Sequence, residues 1–223
     1  YSLPRWTGKD ARVIGAIEAG GTKFVLALAD VDGVIVDRSR VATMTPDDTL
    51  GQAVAWFQSA ARQHGAITAF GVASFGPVSV NPAAPDYGTI GVTPKPGWQR
   101  VRYQDALEPF GVPVHVDSDV NGAALGEWRG GAGRGCDVLA YTTVGTGIGT
   151  GILHRGRSLH GIGNYEAGHI PVSQPAVDAD FAGVCPFHGG CLEGLASGPA
   201  IAARWGEGLD LAARGNPAAL DLV

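Results

Sequence analysis

The chain has 223 residues, of which 45% are hydrophobic, enough to bury one large core or two modest ones. Its formal net charge is -5 and its basic residues form no run, which argues against a nucleic-acid partner and an anionic membrane surface. No apolar stretch approaches the roughly 20 residues that cross a bilayer, and residues 1–10 lack the apolar region of a signal peptide, so we expect a cytoplasmic protein without membrane contact.

The chain begins with the pattern of a β-hairpin. Two apolar runs, residues 13–17 and 24–29, are separated by the turn sequence Glu-Ala-Gly-Gly-Thr-Lys at 18–23. A third strand is expected at 34–41, after an Asp-Gly turn.

A helix and a fourth strand follow. Thr-Pro-Asp at 45–47 marks a helix start, apolar residues then recur at helical spacing, and Gly65 ends the pattern. Residues 69–74 predict a strand. Residues 81–99 are rich in proline and glycine, so we expect a long ordered loop or flap there, of the kind that often carries function.

The second half of the chain repeats the first pattern. A strand at 112–116 leads into a helix at 120–128, and strands at 138–144 and 151–153 flank the glycine turn 145–149. Because strand, glycine turn and strand occur twice, the sequence predicts a duplicated α/β architecture with a cleft between two domains. We place the boundary near residue 117, which gives domains 1–116 and 117–223.

Neither glycine turn has the spacing of a P-loop or a dinucleotide-binding fingerprint. Successive free N–H groups in such turns can nevertheless form an anion site, to which a threonine hydroxyl or a lysine adds donors. Two turns facing each other across a cleft could hold the phosphates of ATP, although ordinary hairpin turns explain each turn taken singly. The predicted nucleotide-binding residues are Gly20, Gly21, Thr22, Lys23, Gly145, Thr146, Gly147 and Pro199.

Four potential metal ligands lie within 23 residues: His169, Cys185, His188 and Cys191. Two thiolates and two imidazoles close a tetrahedral Zn²⁺ site without leaving a position for water, so we predict a structural zinc. A disulfide between the two cysteines is the competing interpretation. The third cysteine, Cys136, is expected in the core, and a helix is expected over residues 194–205.

Asp119 is the candidate general base, because it stands where a strand ends and a helix begins. A sugar hydroxyl that attacks a γ-phosphoryl group needs a carboxylate to accept its proton. A simple helix cap is the alternative role, and Asp117 is the rival base. Asn121 could orient the same substrate. Glu166 and Glu193 flank the predicted metal and could accept hydrogen bonds from a polyol. Solvated surface charge is the alternative, and the predicted zinc loop disfavours it.

Several of these motifs together resemble the ROK family of sugar kinases over nearly the whole chain. They are Glu-Ala-Gly-Gly-Thr-Lys at 18–23, Asp-Val-Asn-Gly-Ala-Ala-Leu-Gly-Glu at 119–127, the turn at 145–149, and Glu-Ala-Gly-His at 166–169 with the Cys/His segment 185–193. The sequences at 74–77, 87–88 and 93–98 look like the fructokinase branch, as does a histidine in place of one of the more usual zinc cysteines.

The resemblance implies an actin-like, ribonuclease H-like ATPase fold, a homodimer, and Mg²⁺-ATP as donor for the 6-hydroxyl of fructose or mannose. It assigns Asp119 as catalytic base, while Thr22, Lys23 and Thr146 match phosphate-facing positions. His169 would serve both metal and sugar. Ser118 stands where the family often has asparagine, which removes one hydrogen bond to the sugar. The sugar-contacting residues it implies, with those assigned above, are Gly76, Pro77, Asn121, Glu166, His169 and Glu193.

Two alternatives to a fructokinase remain at this stage. One is a glucose, mannose or N-acetylhexosamine kinase of the same family. The other is a sugar-responsive transcription regulator, which the short segment before the first strand disfavours. The family continues beyond the length of this sequence, which ends at Val223 in a helical pattern, so we expect the adenine and ribose contacts to be missing and residues 1–223 alone to bind nucleotide poorly.

Overall fold

The computed structural model describes residues 12–161 and 165–206. The helical pattern at Val223 lies outside these residues. The strands are β1 (Arg12–Ala19), β2 (Lys23–Ala29), β3 (Ile35–Ala42), β4 (Ala66–Ser74), β5 (Val114–Ser118), β6 (Val138–Val144), β7 (Ile148–His154) and β8 (Arg157–Ser158). The helices are α1 (Pro46–His64), α2 (Tyr103–Leu107), α3 (Asp119–Gly130), α4 (Leu192–Ala196) and α5 (Gly198–Trp205), with short 3₁₀ turns at Glu108–Phe110, Ala167–His169 and Ala176–Asp178.

The first sheet has five strands in the order β3-β2-β1-β4-β5. The strands β1, β2 and β3 are antiparallel neighbours, whereas β4 and β5 run parallel to β1. Ala19 lies opposite Ser74, and Ser74 lies opposite Ser118, so β1, β4 and β5 all end at one edge of the sheet. The predicted hairpin and third strand are confirmed, and this shared edge gathers the loops that follow three strands.

Helix α1 has the predicted bounds because local signals define both of its ends. The Thr45 hydroxyl accepts the Asp48 N–H, Pro46 occupies the first turn, and Gly65 after the helix has φ of 118°. Buried Phe57 then packs edge-on against Phe70 of β4, with ring centroids 4.9 Å apart. These contacts begin the apolar core under the first sheet.

The loop at 81–99 is ordered, as predicted, but it is fixed to the core. The Trp98 side chain is fully buried, its indole N–H donates to the Met44 carbonyl at 2.9 Å, and its ring lies 5.3 Å from that of Phe24. Tyr87 from the same loop donates its hydroxyl proton to the Val116 carbonyl and accepts the Val116 N–H, which pairs the outer edge of β5.

The second sheet is antiparallel, in the order β6-β7-β8, and repeats the hairpin plus third strand of the first sheet. Helix α3 packs against both sheets. Gly151 of β7 allows this close packing, since a Cβ there would meet the Val120 carbonyl oxygen at 2.4 Å. The repeated strand, glycine turn and strand are therefore confirmed, while the division into domains 1–116 and 117–223 stays a prediction.

Three local predictions were wrong. Strand β5 is shifted to Val114–Ser118, so Asp117 belongs to the strand rather than to the loop after it. The helix expected over residues 194–205 is two helices that break at Ser197, because Pro199 has no N–H to continue α4 and instead sits in the first turn of α5. Cys136 is exposed, because it lies in the loop before β6.

None of the helices in the described ranges is long and apolar enough to cross a membrane.

Candidate active site

Asp119 lies at the edge where the parallel strands end. It is the first residue of α3, directly after β5, and Ser118 caps the helix by accepting the Asn121 N–H at 3.2 Å. Asp119 is therefore free of the capping role that was the alternative explanation for it. The Asp119 side chain keeps access to solvent, and one of its oxygens accepts the Val120 N–H at 2.9 Å.

The surroundings of Asp119 favour its neutral form. Burial raises the pKa of this carboxyl group above the usual 3.8, and the negative charges of Glu18 and Glu166 raise it further, against a lowering by the Val120 N–H. Glu18 at the end of β1, Asp119 and Glu166 thus converge, although they are far apart in sequence, and a carboxyl group with a raised pKa suits proton transfer near neutral pH.

Asp117, the rival base, is engaged in structural hydrogen bonds. Its carboxylate accepts from the Ser118 N–H at 2.8 Å, from the Asn121 amide at 2.7 Å and from the Ser158 hydroxyl at 2.7 Å. His160 lies 3.9 Å from the same carboxylate. With its oxygens occupied in this way, Asp117 ties β8 to the start of α3 and has a structural role.

Asn121, which sequence reasoning assigned to the sugar, is buried and only 4% exposed. Its amide nitrogen donates to Asp117, and its Oδ1 atom has no hydrogen-bond partner in the described part of the chain. The side chain therefore supports the start of α3 from inside, and the geometry supplies no reason to include Asn121 among the sugar contacts.

The exposed residues Gly76 and Pro77 follow β4 at the same edge as Asp119. Their peptide bond is cis, and the Pro77 carbonyl accepts the Gly91 N–H at 2.8 Å. Beneath them, the buried Tyr103 hydroxyl lies 2.8 Å from the Ser74 hydroxyl. Burial raises the pKa of Tyr103, so this phenol stays neutral beside the carboxylate site.

The first glycine turn, residues 20–22, joins the end of β1 at Ala19 to the start of β2 at Lys23. The Gly20 N–H donates to the Lys23 carbonyl at 3.0 Å, whereas the N–H groups of Gly21 and Thr22 have no acceptor among the described residues. A Cβ at Gly21 would meet nothing within 4 Å, so space beside the turn is open. Lys95, from the loop before α2, places its ammonium on the Gly21 carbonyl. The turn therefore has the free donors that an anion site needs.

The second glycine turn, Gly145–Gly147, contacts the start of α5. The Gly145 carbonyl accepts the Gly198 N–H at 2.8 Å, which brings Pro199 to the same region as Gly145, Thr146 and Gly147. Glu193 also lies here, because its carboxylate accepts the Ile148 N–H at 2.8 Å. Glu193 thus joins the metal-ligand segment to the turn, and this bond occupies one of the oxygens that were predicted to face a sugar.

The four predicted metal ligands form one cluster, with all their ligand atoms within 4.8 Å of one another. The His169 Nδ1 atom lies 3.6 Å from the Cys185 sulfur and 3.5 Å from the Cys191 sulfur, and the His188 Nδ1 atom lies 3.8 Å from the Cys185 sulfur. Both cysteines are free thiols, so the disulfide alternative is not what the structure contains.

Tight turns bring these ligands together. Gly189 has φ of 59°, its N–H donates to the Cys185 carbonyl at 2.9 Å, and a Cβ at Gly194 would clash with its carbonyl oxygen. The Leu192 N–H donates to the Ile170 carbonyl at 3.0 Å, which joins the cysteine loop to the His169 segment. The cluster therefore stands next to Glu166, whose carbonyl accepts the His169 N–H.

Two residues near the site had no assigned role in the sequence analysis. Glu18 was read only as part of a turn, although a lone carboxylate at the end of an apolar strand is a usable signal. Lys95 was read only as part of a motif. The structure brings Asp119, Glu18 and Glu166 together at one site, and it brings Glu193 and Pro199 to the second turn instead.

Solved and curated proteins resemble this chain. It is 48% identical over 204 residues to the fructokinase of Zymomonas mobilis subsp. mobilis, with 90% of this chain and 67% of that protein covered. It is 41% identical over 193 residues to the fructokinase of Lactococcus lactis subsp. cremoris, with 86% and 64% covered. The chain thus spans about two thirds of the length of these relatives.

The fold also matches that of a solved sugar kinase. The glucokinase of Streptomyces griseus in complex with glucose and AMPPNP has a TM-score of 0.70 and 30% identity, with 94% of this chain and 73% of that chain covered. The family model described as ROK family matches residues 14–220. These matches confirm the predicted resemblance and an α/β sugar-kinase fold, and the chain belongs to the ROK family.

Proposed function

We propose that the protein is an ATP-dependent hexose kinase that phosphorylates fructose at its 6-hydroxyl. The observation that carries this proposal is Asp119, an accessible carboxylate with a raised pKa at the edge where the first glycine turn also begins. The fructokinase names of relatives at 48% and 41% identity favour fructose over glucose, since the glucokinase match is at 30%. The fructokinase expected from the sequence agrees with these names.

In this reaction Asp119 accepts the proton of the attacking sugar hydroxyl as the oxygen–phosphorus bond forms. Glu166 lies close enough to Asp119 to influence its pKa, so it can accept hydrogen bonds from other hydroxyls of the same sugar. The free N–H groups of Gly21 and Thr22 suit the phosphates of the donor. Gly145, Thr146 and Gly147 are assigned the same role on the second turn.

Magnesium fits the carboxylates of this site. Mg²⁺ prefers oxygen ligands and is usually held by one or two carboxylates with the phosphates of a nucleotide. Glu18, the next-to-last residue of β1 and two positions before Gly20 of the first glycine turn, is the residue best placed to hold it. When bound, the ion neutralises charge on the phosphates.

Zinc is the metal that suits the cluster of cysteines and histidines. Zinc–sulfur bonds of about 2.3 Å and zinc–nitrogen bonds of about 2.0–2.1 Å in a tetrahedron separate sulfur from nitrogen by about 3.6 Å. The observed separations of 3.5, 3.6 and 3.8 Å fit that value. The ion would fix His169 through Nδ1, which leaves Nε2 for a sugar hydroxyl. A homodimer and a cytoplasmic location remain proposals from the family resemblance.

The test is an ADP-release assay of the full-length protein with fructose, mannose, glucose and N-acetylmannosamine. We expect fructose to have the highest kcat/KM. Asp119→Asn should lower kcat about 10²- to 10⁴-fold, because general base catalysis contributes that much, while sugar affinity changes little. Asp117→Asn is the comparison that separates the two candidate bases. Absence of turnover with every hexose, or near-normal turnover in Asp119→Asn, would refute the proposal.

A further inference from the structure

Lysine is rare in this chain, and its positions are informative. Three of the sixteen basic residues are lysines, namely Lys9, Lys23 and Lys95, and the other thirteen are arginines. Two of the three lysines lie at the first glycine turn: Lys23 begins β2, and Lys95 reaches the turn from a loop 74 positions away. Lys95 and the first residue of β2, Lys23, thus both belong to the region of the first glycine turn, and an ammonium is a compact point charge.

The backbone around Lys95 is held in position. The Lys95 N–H donates to the Thr93 hydroxyl at 3.3 Å, and the Lys95 carbonyl accepts the N–H of the buried Trp98 at 3.3 Å. Gly97 between them has φ of 79°, a value that favours glycine. The loop therefore presents the Lys95 side chain to the turn from a fixed base.

The ammonium of Lys95 has donors to spare at the turn. Lysine carries three N–H donors, and the contact with the Gly21 carbonyl uses one of them. Lys95 is half-buried, and the space beside Gly21 is open. A charged phosphate oxygen forms a stronger hydrogen bond to an ammonium than a neutral carbonyl does, so a phosphate at the turn would attract Lys95.

The negative charge of the site favours a cation such as the Lys95 ammonium beside any phosphate that binds there. Glu18, Asp119 and Glu166 are all carboxylates, and the charges of Glu18 and Glu166 contribute to the raised pKa of Asp119. Terminal phosphates entering beside them would meet repulsion unless cations accompany them. We propose that Lys95 binds the terminal phosphates of the donor nucleotide and rests on the Gly21 carbonyl when no nucleotide is bound. The inference rests on the proposed kinase function.

The competing role for Lys95 is a structural clip that only holds the loop against the turn. The two roles predict different effects of removing the Lys95 ammonium on thermal stability and on sugar and nucleotide binding. Loss of a clip lowers thermal stability and affects sugar and nucleotide alike, because the same loop leads to Trp98 and the core. Loss of a phosphate ligand affects the nucleotide selectively.

The test compares Lys95→Met and Lys95→Arg in the full-length protein. We expect Lys95→Met to lower kcat/KM for ATP about 10- to 100-fold, the range for a hydrogen bond to a charged group, with KM for fructose and the melting temperature unchanged. Lys95→Arg should recover part of the loss. The matched control is Arg62→Met on exposed α1, about 24 Å along the helix from Pro46, which should change nothing.

Titration of ATP without sugar makes the same comparison without turnover. If the wild-type protein fails to phosphorylate any hexose but binds ATP more tightly than Lys95→Met does, the kinase proposal fails and the Lys95 assignment stands. Equal ATP affinity in the two proteins overturns the assignment. A lower melting temperature with parallel losses for ATP and fructose also overturns it in favour of the clip.

Discussion

The two halves of the described chain are stabilised in different ways. Twenty buried hydrophobic residues form one continuous core, and all of them lie between residues 13 and 116. Among the described residues after 117, seven hydrophobic residues are buried, and two of those are the cluster cysteines Cys185 and Cys191. The first half thus depends on apolar burial, which is non-directional and spread over many side chains.

The second half depends on a few specific polar contacts. Arg204 of α5 makes two hydrogen bonds to the Asp178 carboxylate, at 2.8 and 3.0 Å, and each side chain is 10% exposed. The Glu193 carboxylate accepts the Ile148 N–H, and the cluster of four proposed metal ligands joins residue 169 to segment 185–191. Contacts of this kind depend on geometry, so removing one of them should loosen the second half and leave the first intact.

Removal of the proposed zinc is the strongest test of this comparison. Structural zinc contributes about 10–16 kcal/mol in small zinc-binding peptides, so chelation should unfold the cluster loop, while amide exchange in β1 and β4 stays slow. Cys191→Ser should do the same, because serine keeps the cap on the Gly194 N–H but loses the thiolate.

The matched control is Cys136→Ser, an exposed cysteine outside the cluster. Elemental analysis should find about one zinc per chain in wild type and Cys136→Ser and none in Cys191→Ser. A Cys191→Ser protein with an ordered loop and wild-type stability would contradict the idea that the metal holds the second half together.

A substitution that creates a cavity in the first half should lower the stability of that half without affecting the zinc. Phe57 is fully buried against Phe70, so Phe57→Ala should lower the free energy of unfolding by about 3–5 kcal/mol, measured by urea denaturation. Zinc content should stay unchanged. Gln58→Ala, at the exposed neighbouring position, is the control. Simultaneous loss of metal in Phe57→Ala would mean that the two halves unfold as one unit.

The smallest expected effect is electrostatic and concerns the interaction between Glu18 in the first half and Asp119 in the second. Glu18 raises the pKa of Asp119, so Glu18→Gln should move the acid limb of the kcat/KM profile to lower pH, whatever happens to the maximal rate. Glu108→Gln carries the same charge change at the other end of β5 and should leave the limb in place. An unchanged limb in Glu18→Gln would mean that the two carboxylates do not interact.

The raised pKa of Asp119 also affects how the stability of the fold depends on pH. A carboxyl group whose pKa is higher in the folded state favours folding when it is protonated, an effect complete below the unfolded pKa of about 4 and lost as pH rises through the folded value. At neutral pH the ionised Asp119 therefore costs stability. The same Asp119→Asn protein that loses turnover should melt at a slightly higher temperature than wild type.

Local patterns in the sequence determined the helices and strands and the cluster of proposed metal ligands. Helix α1, both hairpins and both glycine turns follow from apolar spacing and capping residues that act within a few positions. The set of His169, Cys185, His188 and Cys191 was readable because glycine and proline force tight turns between ligands that lie close along the chain. Such signals need no knowledge of distant contacts.

The tertiary structure alone decided which carboxylates meet and which are occupied. Glu18 and Asp119 meet because parallel β1 and β5 end at one edge of the sheet, and the 3₁₀ turn Ala167–His169, packed against β7, adds Glu166. No local sequence pattern predicts this arrangement. Asp117 and Asn121 turned out to be bonded to each other, and Lys95 reaches Gly21 across 74 positions. Side-chain partners are chosen by the whole fold, which is why the sequence could name candidates for the site and only the packed chain could assign their neighbours.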